Sequence, residues 1–103
     1  MSEETTCDFE WDPAKALSNL QKHRVAFDQA ATVFLDALAL TVYDPANSQD
    51  EDRWFTLGLD TGGVLLAIAH TYREVEPGRA LVRIISARHA TRRERREYEG
   101  EPR

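Results

Sequence analysis

The sequence holds one cysteine, Cys7, in 103 residues. An internal disulfide is therefore impossible, and a zinc site built on cysteines is excluded. Long apolar runs are also missing. The longest, Val64 to Ala69, has six residues, against the ~18–20 of a membrane-spanning helix. The opening Met1-Ser2-Glu3-Glu4-Thr5-Thr6 lacks the basic and apolar regions of a signal peptide. These absences lead to the expectation of a cytoplasmic protein without a membrane partner. His23, His70 and His89 show no metal-ligand spacing. No glycine-rich phosphate loop and no Ser/His/Asp arrangement can be read, so neither a metal nor a cofactor is expected. The length suits one domain and is too short for two ordinary ones. The expectation is a single domain over 1–103, with 1–6 and 100–103 as flexible tails.

What is present begins with a globular balance, 42% hydrophobic and 30% charged residues, unlike that of a disordered chain. The net charge of −5 hides an asymmetry. Residues 1–78 carry five Lys/Arg against fourteen Asp/Glu, whereas residues 79–96 carry seven Arg against one Glu. Local field governs docking more than net charge does, so the arginine segment keeps nucleic acid open as a partner. The plainer alternative is a solvated helix face balanced by acidic neighbours.

Asp8 to Trp11 alternates polar and aromatic residues, which predicts a short strand. Asp12-Pro13 starts a helix to about His23, because Asp caps free N–H groups and Pro loses nothing at the first position. Ala16, Leu17 and Leu20 lie on one side of it; Lys15, Asn19 and Lys22 line another. A second helix is expected over about 27–35, with Phe27, Ala30, Ala31 and Phe34 as one apolar stripe. Strands follow at 39–43, 53–59, 64–72 and 80–87, separated by turns at Asp44–Ser48, Asp60–Gly63 and Glu76–Gly78. Thr91-Arg92-Arg93-Glu94 is a capping box opening a last helix to about Glu99. Segregated helices and consecutive hairpins imply an α+β fold: two N-terminal helices on an antiparallel sheet, with a C-terminal helix.

Further residues carry a resemblance. Phe9-Glu10-Trp11-Asp12-Pro13, Lys15, Asn19 and Lys22-His23 are followed by Val25, Phe27 and Ala30-Ala31. Glu51, Arg53, Trp54, Gly58 and His70-Thr71 come later, then Arg83-Ile84-Ile85-Ser86-Ala87-Arg88, Ala90, Glu94-Arg95 and Tyr98. The pattern resembles the BrnT family, the toxin component of bacterial type II toxin–antitoxin systems, over about residues 9–98. The resemblance implies a RelE-like fold and a metal-independent ribonuclease that arrests growth. It also implies a BrnA-like antitoxin partner, through which alone the complex reaches operator DNA. Two positions depart from the family pattern. Arg24 stands where the family has Gly after Lys-His, and Ala26 where it has Ser or Asp. A non-glycine residue at a helix end that needs positive φ costs about 1 kcal/mol.

Metal-free RNA cleavage drives a 2′-hydroxyl onto its own phosphate. It needs a base, an acid and cationic donors on the phosphoryl oxygens. Arg83 and Arg88 are the first candidates, since a guanidinium fork bonds two phosphate oxygens. Strict alternation puts Arg83, Ile85 and Ala87 on one face of a strand, with Arg88 just past its end. The alternative for both arginines is cross-strand salt bridges. His70 is in phase with Leu66 and Ile68, which fits a buried structural histidine as well as an acid or base. It completes the catalytic candidates. Lys15, Lys22, Arg92 and Arg93 are the RNA-binding candidates; their alternative is a solvated face. His23 reads as a helix-end residue and His89 as an exposed loop residue. Glu51 suits a general base but also a solvated acidic loop. Trp11, Trp54 and Tyr98 suit base stacking, with core packing the stronger role for the tryptophans. The functional alternatives are an inactive BrnT-like binding module acting as antitoxin partner and co-repressor, and a structural domain.

Overall fold

The computed structural model describes residues 5–100. The tail expectations for 1–4 and 101–103 lie outside the described residues; Thr6 already pairs in a strand, and Gly100 caps the last helix.

Strand β1 (Thr6–Glu10) leads into helix α1 (Pro13–His23). Asp12 caps α1 by accepting from the Ala14 N–H at 2.8 Å, with Pro13 in its first turn. The helix stops where Arg24 turns left-handed, at φ 59 and ψ 31. The position has the conformation that glycine would supply, and Arg24 is the one non-glycine residue with positive φ among the described residues. Helix α2 (Phe27–Ala31) follows almost at once, and Ala26 gives it no side-chain cap. It tightens into a 3-10 turn (Thr32–Leu35). The second helix is therefore real but changes pitch halfway, which turns Val33 into the core beside Phe27 and Ala30.

Strands β2 (Leu40–Tyr43), β3 (Trp54–Leu59), β4 (Leu65–Glu76) and β5 (Arg79–His89) precede helix α3 (Arg92–Glu99). The sheet order is β1-β5-β4-β3-β2. The α+β class holds, but the sheet is mixed rather than antiparallel, because β1 runs parallel to β5. Hairpins set the sense of β3, β4 and β5. No hairpin joins β1 to β5, so their shared direction follows from how the helices return the chain. β4 and β5 are also longer than the apolar pattern suggested, and His89 ends β5 rather than lying in a loop.

One face of the sheet lies under α1, α2 and the 3-10 turn. Val25, Phe27, Ala30, Val33, Leu66 and Ile68 form its core with Val82, Ile84 and Ala87. Gly58 lets the 3-10 turn settle on the sheet, since a Cβ there would stand 2.9 Å from Val33 Cγ1. Trp11 packs edge-on against Phe27. The opposite face carries a smaller cluster, Leu57, Leu65 and Ala67, covered at one end by Ala90 and Tyr98. Among the described residues, no helix is long and apolar enough to cross a membrane.

Helix α1 corrects the assignment of its faces. Leu17 and Leu20 are exposed, whereas Asn19 is buried and Ala16 packs against the core. Beyond Arg83, strand β5 has no β1 residue to pair with. Asn19 occupies that vacant edge. Its amide donates to Ala87 O at 2.9 Å and Val25 O at 3.0 Å, and accepts from Ala87 N at 3.1 Å. One side chain thus does for Ala87 what a neighbouring strand would do, which explains why a polar group is buried there.

Candidate active site

The placement of the arginines depends on one extra residue. Ala69 pairs with Ser86, but His70 pairs with Ile84, so Ile85 is a bulge in β5. A bulge inserts one residue on one strand and resets the alternation beyond it. Arg83 opposes Thr71, Ser86 opposes Ala69 and Arg88 opposes Ala67. Alternate residues of β4 share a face. Arg83, Ser86 and Arg88 therefore share the face away from α1 and α2. Ala87, expected beside Arg83, is turned to the helix side with Ile68.

Toward the end of this face that α3 leaves open, Arg83 lines a groove of about 240 Å³ with Glu10, Glu51, Thr71, Arg73 and Leu81. The Arg83 guanidinium bonds the Glu51 carboxylate, and Arg53 comes within 3.9 Å of the same oxygen. The Arg53 Nε is enclosed without a hydrogen-bond partner among the described residues. Arg88 makes a bidentate pair with Glu94, at 2.8 and 3.0 Å. Glu94 also completes the capping box of α3 by accepting from the Thr91 N–H at 2.9 Å. Arg88 is the chief reason that the Glu94 carboxyl is held down at about 2. Helix α3 is thus tied to the arginine face at its first turn. Near its end, Tyr98 Oη donates to Asp36 at 2.6 Å.

His70 does not join the arginines. It is 1% exposed, on the helix-covered face. Its Nδ1 faces the Thr71 carbonyl at 3.1 Å and so carries the proton. Its Nε2 then accepts from the Thr56 hydroxyl at 2.7 Å, and Thr56 in turn contacts Thr41 at 2.8 Å. Phe34 packs edge-on against the ring. Burial pushes the imidazole below its ordinary value and favours the neutral form. This chain of partners matches the structural role that its phase with Leu66 and Ile68 allowed.

Lys15 and Lys22 flank a second cleft, of about 170 Å³, with Ser18, His23, Ile85 and Ser86. It abuts the bulge, so both candidate regions touch β5 within residues 83–86. Arg93 sits 3.7 Å from Glu97, as Arg95 does from Glu99, on the exposed side of α3. Arg92 is exposed at the start of the same helix. Trp54 packs against Tyr43 at 5.0 Å and Tyr98 against the smaller core. No group of three His, Cys, Asp or Glu side chains among the described residues is placed to hold a metal ion. The contact between Glu51 and Arg83 was not legible from sequence, since 32 residues separate them.

The architecture is that of a small α+β domain, a mixed sheet with two arginines on one face of β5 and a C-terminal helix tied to one of them. The family model described as "Ribonuclease toxin, BrnT, of type II toxin-antitoxin system" matches residues 11–94. The chain belongs to the BrnT family of ribonuclease toxins. Its fold matches the crystal structure of the Brucella abortus ribonuclease toxin, BrnT. The TM-score is 0.59 at 24% identity, over 84% of this chain and 100% of that one. None of the curated proteins matches the chain.

Proposed function

We propose that this toxin cleaves RNA without a metal ion, using the RNA 2′-hydroxyl as nucleophile, and that this cleavage arrests growth in the cytoplasm. The observation carrying the reading is the bulge at Ile85, which puts Arg83 and Arg88 on one accessible face. Fixed guanidinium groups stabilise the charge that develops on phosphoryl oxygens, and they need no metal to do so. Arg83 contacts the scissile phosphate in the groove. Arg88 contacts the same strand once RNA competes with Glu94. Lys15 and Lys22 hold the backbone on one side of the bulge, and Arg92 and Arg93 on the other. His70 supports the fold from behind the sheet, holding β4 opposite Ile84 next to the bulge, and takes no part in the reaction. A BrnA-like antitoxin covers these cations and links the complex to operator DNA.

A second reading, an inactive module serving as antitoxin partner and co-repressor, draws on one observation: both arginines are already paired with the chain's own carboxylates. RNA cleavage by the antitoxin-free protein in excess EDTA separates the two. The expected products carry a 2′,3′-cyclic phosphate and a 5′-hydroxyl. A single 2′-deoxy nucleotide at the cut position blocks the reaction and leaves binding nearly unchanged. Products with 5′-phosphate ends, or activity only with Mg²⁺, would overturn the mechanism. No cleavage under any condition would favour the inactive module.

A further inference from the structure

We infer that Glu51 is the general base of this reaction. The inference rests on the ribonuclease reading above and adds the group that reading lacks. The arginine face holds donors but needs an acceptor for the 2′-hydroxyl proton. His70 is on the other side of the sheet, enclosed and committed to Thr56 and Thr71. His89 opposes Leu66, and His23 lines the cleft beside α1. Among the described residues, the carboxylates lining the groove beside Arg83 are Glu10, Glu51 and Asp52; the hydroxyls of Thr71 and Tyr72 and the Arg73 guanidinium beside them are far weaker bases near neutral pH. Asp52 accepts the Tyr43 hydroxyl at 3.0 Å. Glu10 is the register neighbour of Arg83 but makes no bond to it. Glu51 is the carboxylate in contact with Arg83, and it stays 41% exposed.

That contact sets the geometry. Glu51 engages one terminal nitrogen of Arg83, and a guanidinium has further N–H donors in the same plane. A phosphate bonded to those donors lies beside the Glu51 carboxylate, and so does the adjoining ribose. Glu51 takes the proton from the 2′-hydroxyl as its oxygen forms a bond to phosphorus. The bond from phosphorus to the 5′-oxygen breaks, and the leaving oxygen takes a proton from solvent. Glu51 then returns its proton to solvent. No net proton or electron is consumed. The loop before β3 brings Glu51 across the sheet to β5, so the base and the phosphate donor come from distant parts of the chain.

The test uses single-turnover cleavage of an RNA oligonucleotide, with binding of its 2′-deoxy analogue measured in parallel. Glu51→Gln should slow cleavage by roughly 10²–10⁴-fold while the analogue binds as tightly as before, or more tightly. Glu51→Asp should keep part of the rate. Added formate should restore cleavage by Glu51→Ala, which a purely structural role would not produce. Glu51→Gln at or above the wild-type rate would overturn the inference and make the carboxylate a phosphate mimic that occupies Arg83. Loss of rate in Glu10→Gln with Glu51→Gln intact would move the role to Glu10. Absence of cleavage by the wild type would remove the ribonuclease reading and this inference with it, whereas wild-type cleavage with an active Glu51→Gln removes this inference alone.

Discussion

The two faces of the sheet treat polar groups in opposite ways. On the helix-covered face His70 is 1% exposed, and each ring nitrogen has a partner. On the other face the side chain of Arg83 is 38% exposed, bonded to a carboxylate that is itself open to solvent. A buried polar group needs full satisfaction, because an unmet one costs about 1–3 kcal/mol. An exposed ion pair contributes about 0–1 kcal/mol and exchanges readily. The histidine is therefore locked, while the arginine is free to trade Glu51 for an anion. In the proposed function the residue type usually suspected of acid–base work supports the fold, and the one that reads as a salt bridge meets the phosphate.

The sharpest break of this comparison is Arg83→Ala. It should lower RNA cleavage by roughly 10²–10³, or about 2.7–4 kcal/mol in the barrier, with little change in thermal midpoint. Unchanged toxicity at matched expression would disprove the assignment. His70→Ala should show the reverse pattern. Stability should fall by roughly 2–4 kcal/mol, from the cavity and the lost bonds to Thr56 and Thr71, while activity per folded molecule persists. A stable but inactive protein would return His70 to the reaction.

Proton linkage follows the same division. The folded state holds His70 below its ordinary 6.5, so the unfolded chain binds a proton first, and stability declines as pH falls below that value. Glu94 is also lowered, from an ordinary 4.5 to about 2. Its contribution is complete above 4.5 and is lost as pH falls toward 2. Denaturant titrations across pH should show two successive declines, the upper absent in His70→Ala and the lower reduced in Glu94→Gln but not abolished, since Asp36 and Asp60 are lowered as well.

Smaller effects sharpen the comparison at its border. Asn19→Ala leaves the backbone of Ala87 unpaired and should cost about 1–3 kcal/mol, read as a shift in denaturant midpoint. Arg24→Gly should raise stability by about 1 kcal/mol, because glycine adopts φ 59 without the penalty of a side chain. A loss of stability there would show that the Arg24 side chain contributes packing.

Local chemistry was legible wherever one side chain acts on its own backbone neighbourhood. Asp12-Pro13 opens α1, Thr91 and Glu94 close the capping box, and Gly63 and Gly78 take the positive φ of their turns. Arg24 adopts the left-handed conformation expected of a helix end that glycine would favour. The phase of His70 with Leu66 and Ile68 correctly described burial. The polar stripe of α1 failed as a guide, because Asn19 turns inward to serve β5 while Leu17 and Leu20 stay exposed.

By itself the sequence determined the main elements, their order, the ends of α1 and α3 and the concentration of arginine after residue 78. All of these depend on interactions within a few residues. Only the tertiary structure decided that β1 runs parallel to β5, that Ile85 bulges and that Glu51 meets Arg83. Each of those is a pairing between distant segments, set by how helices and strands pack rather than by local propensity. Of the three, the bulge bears most on the proposed function. One extra residue resets the alternation of β5, and with it the face on which Arg83 and Arg88 stand together.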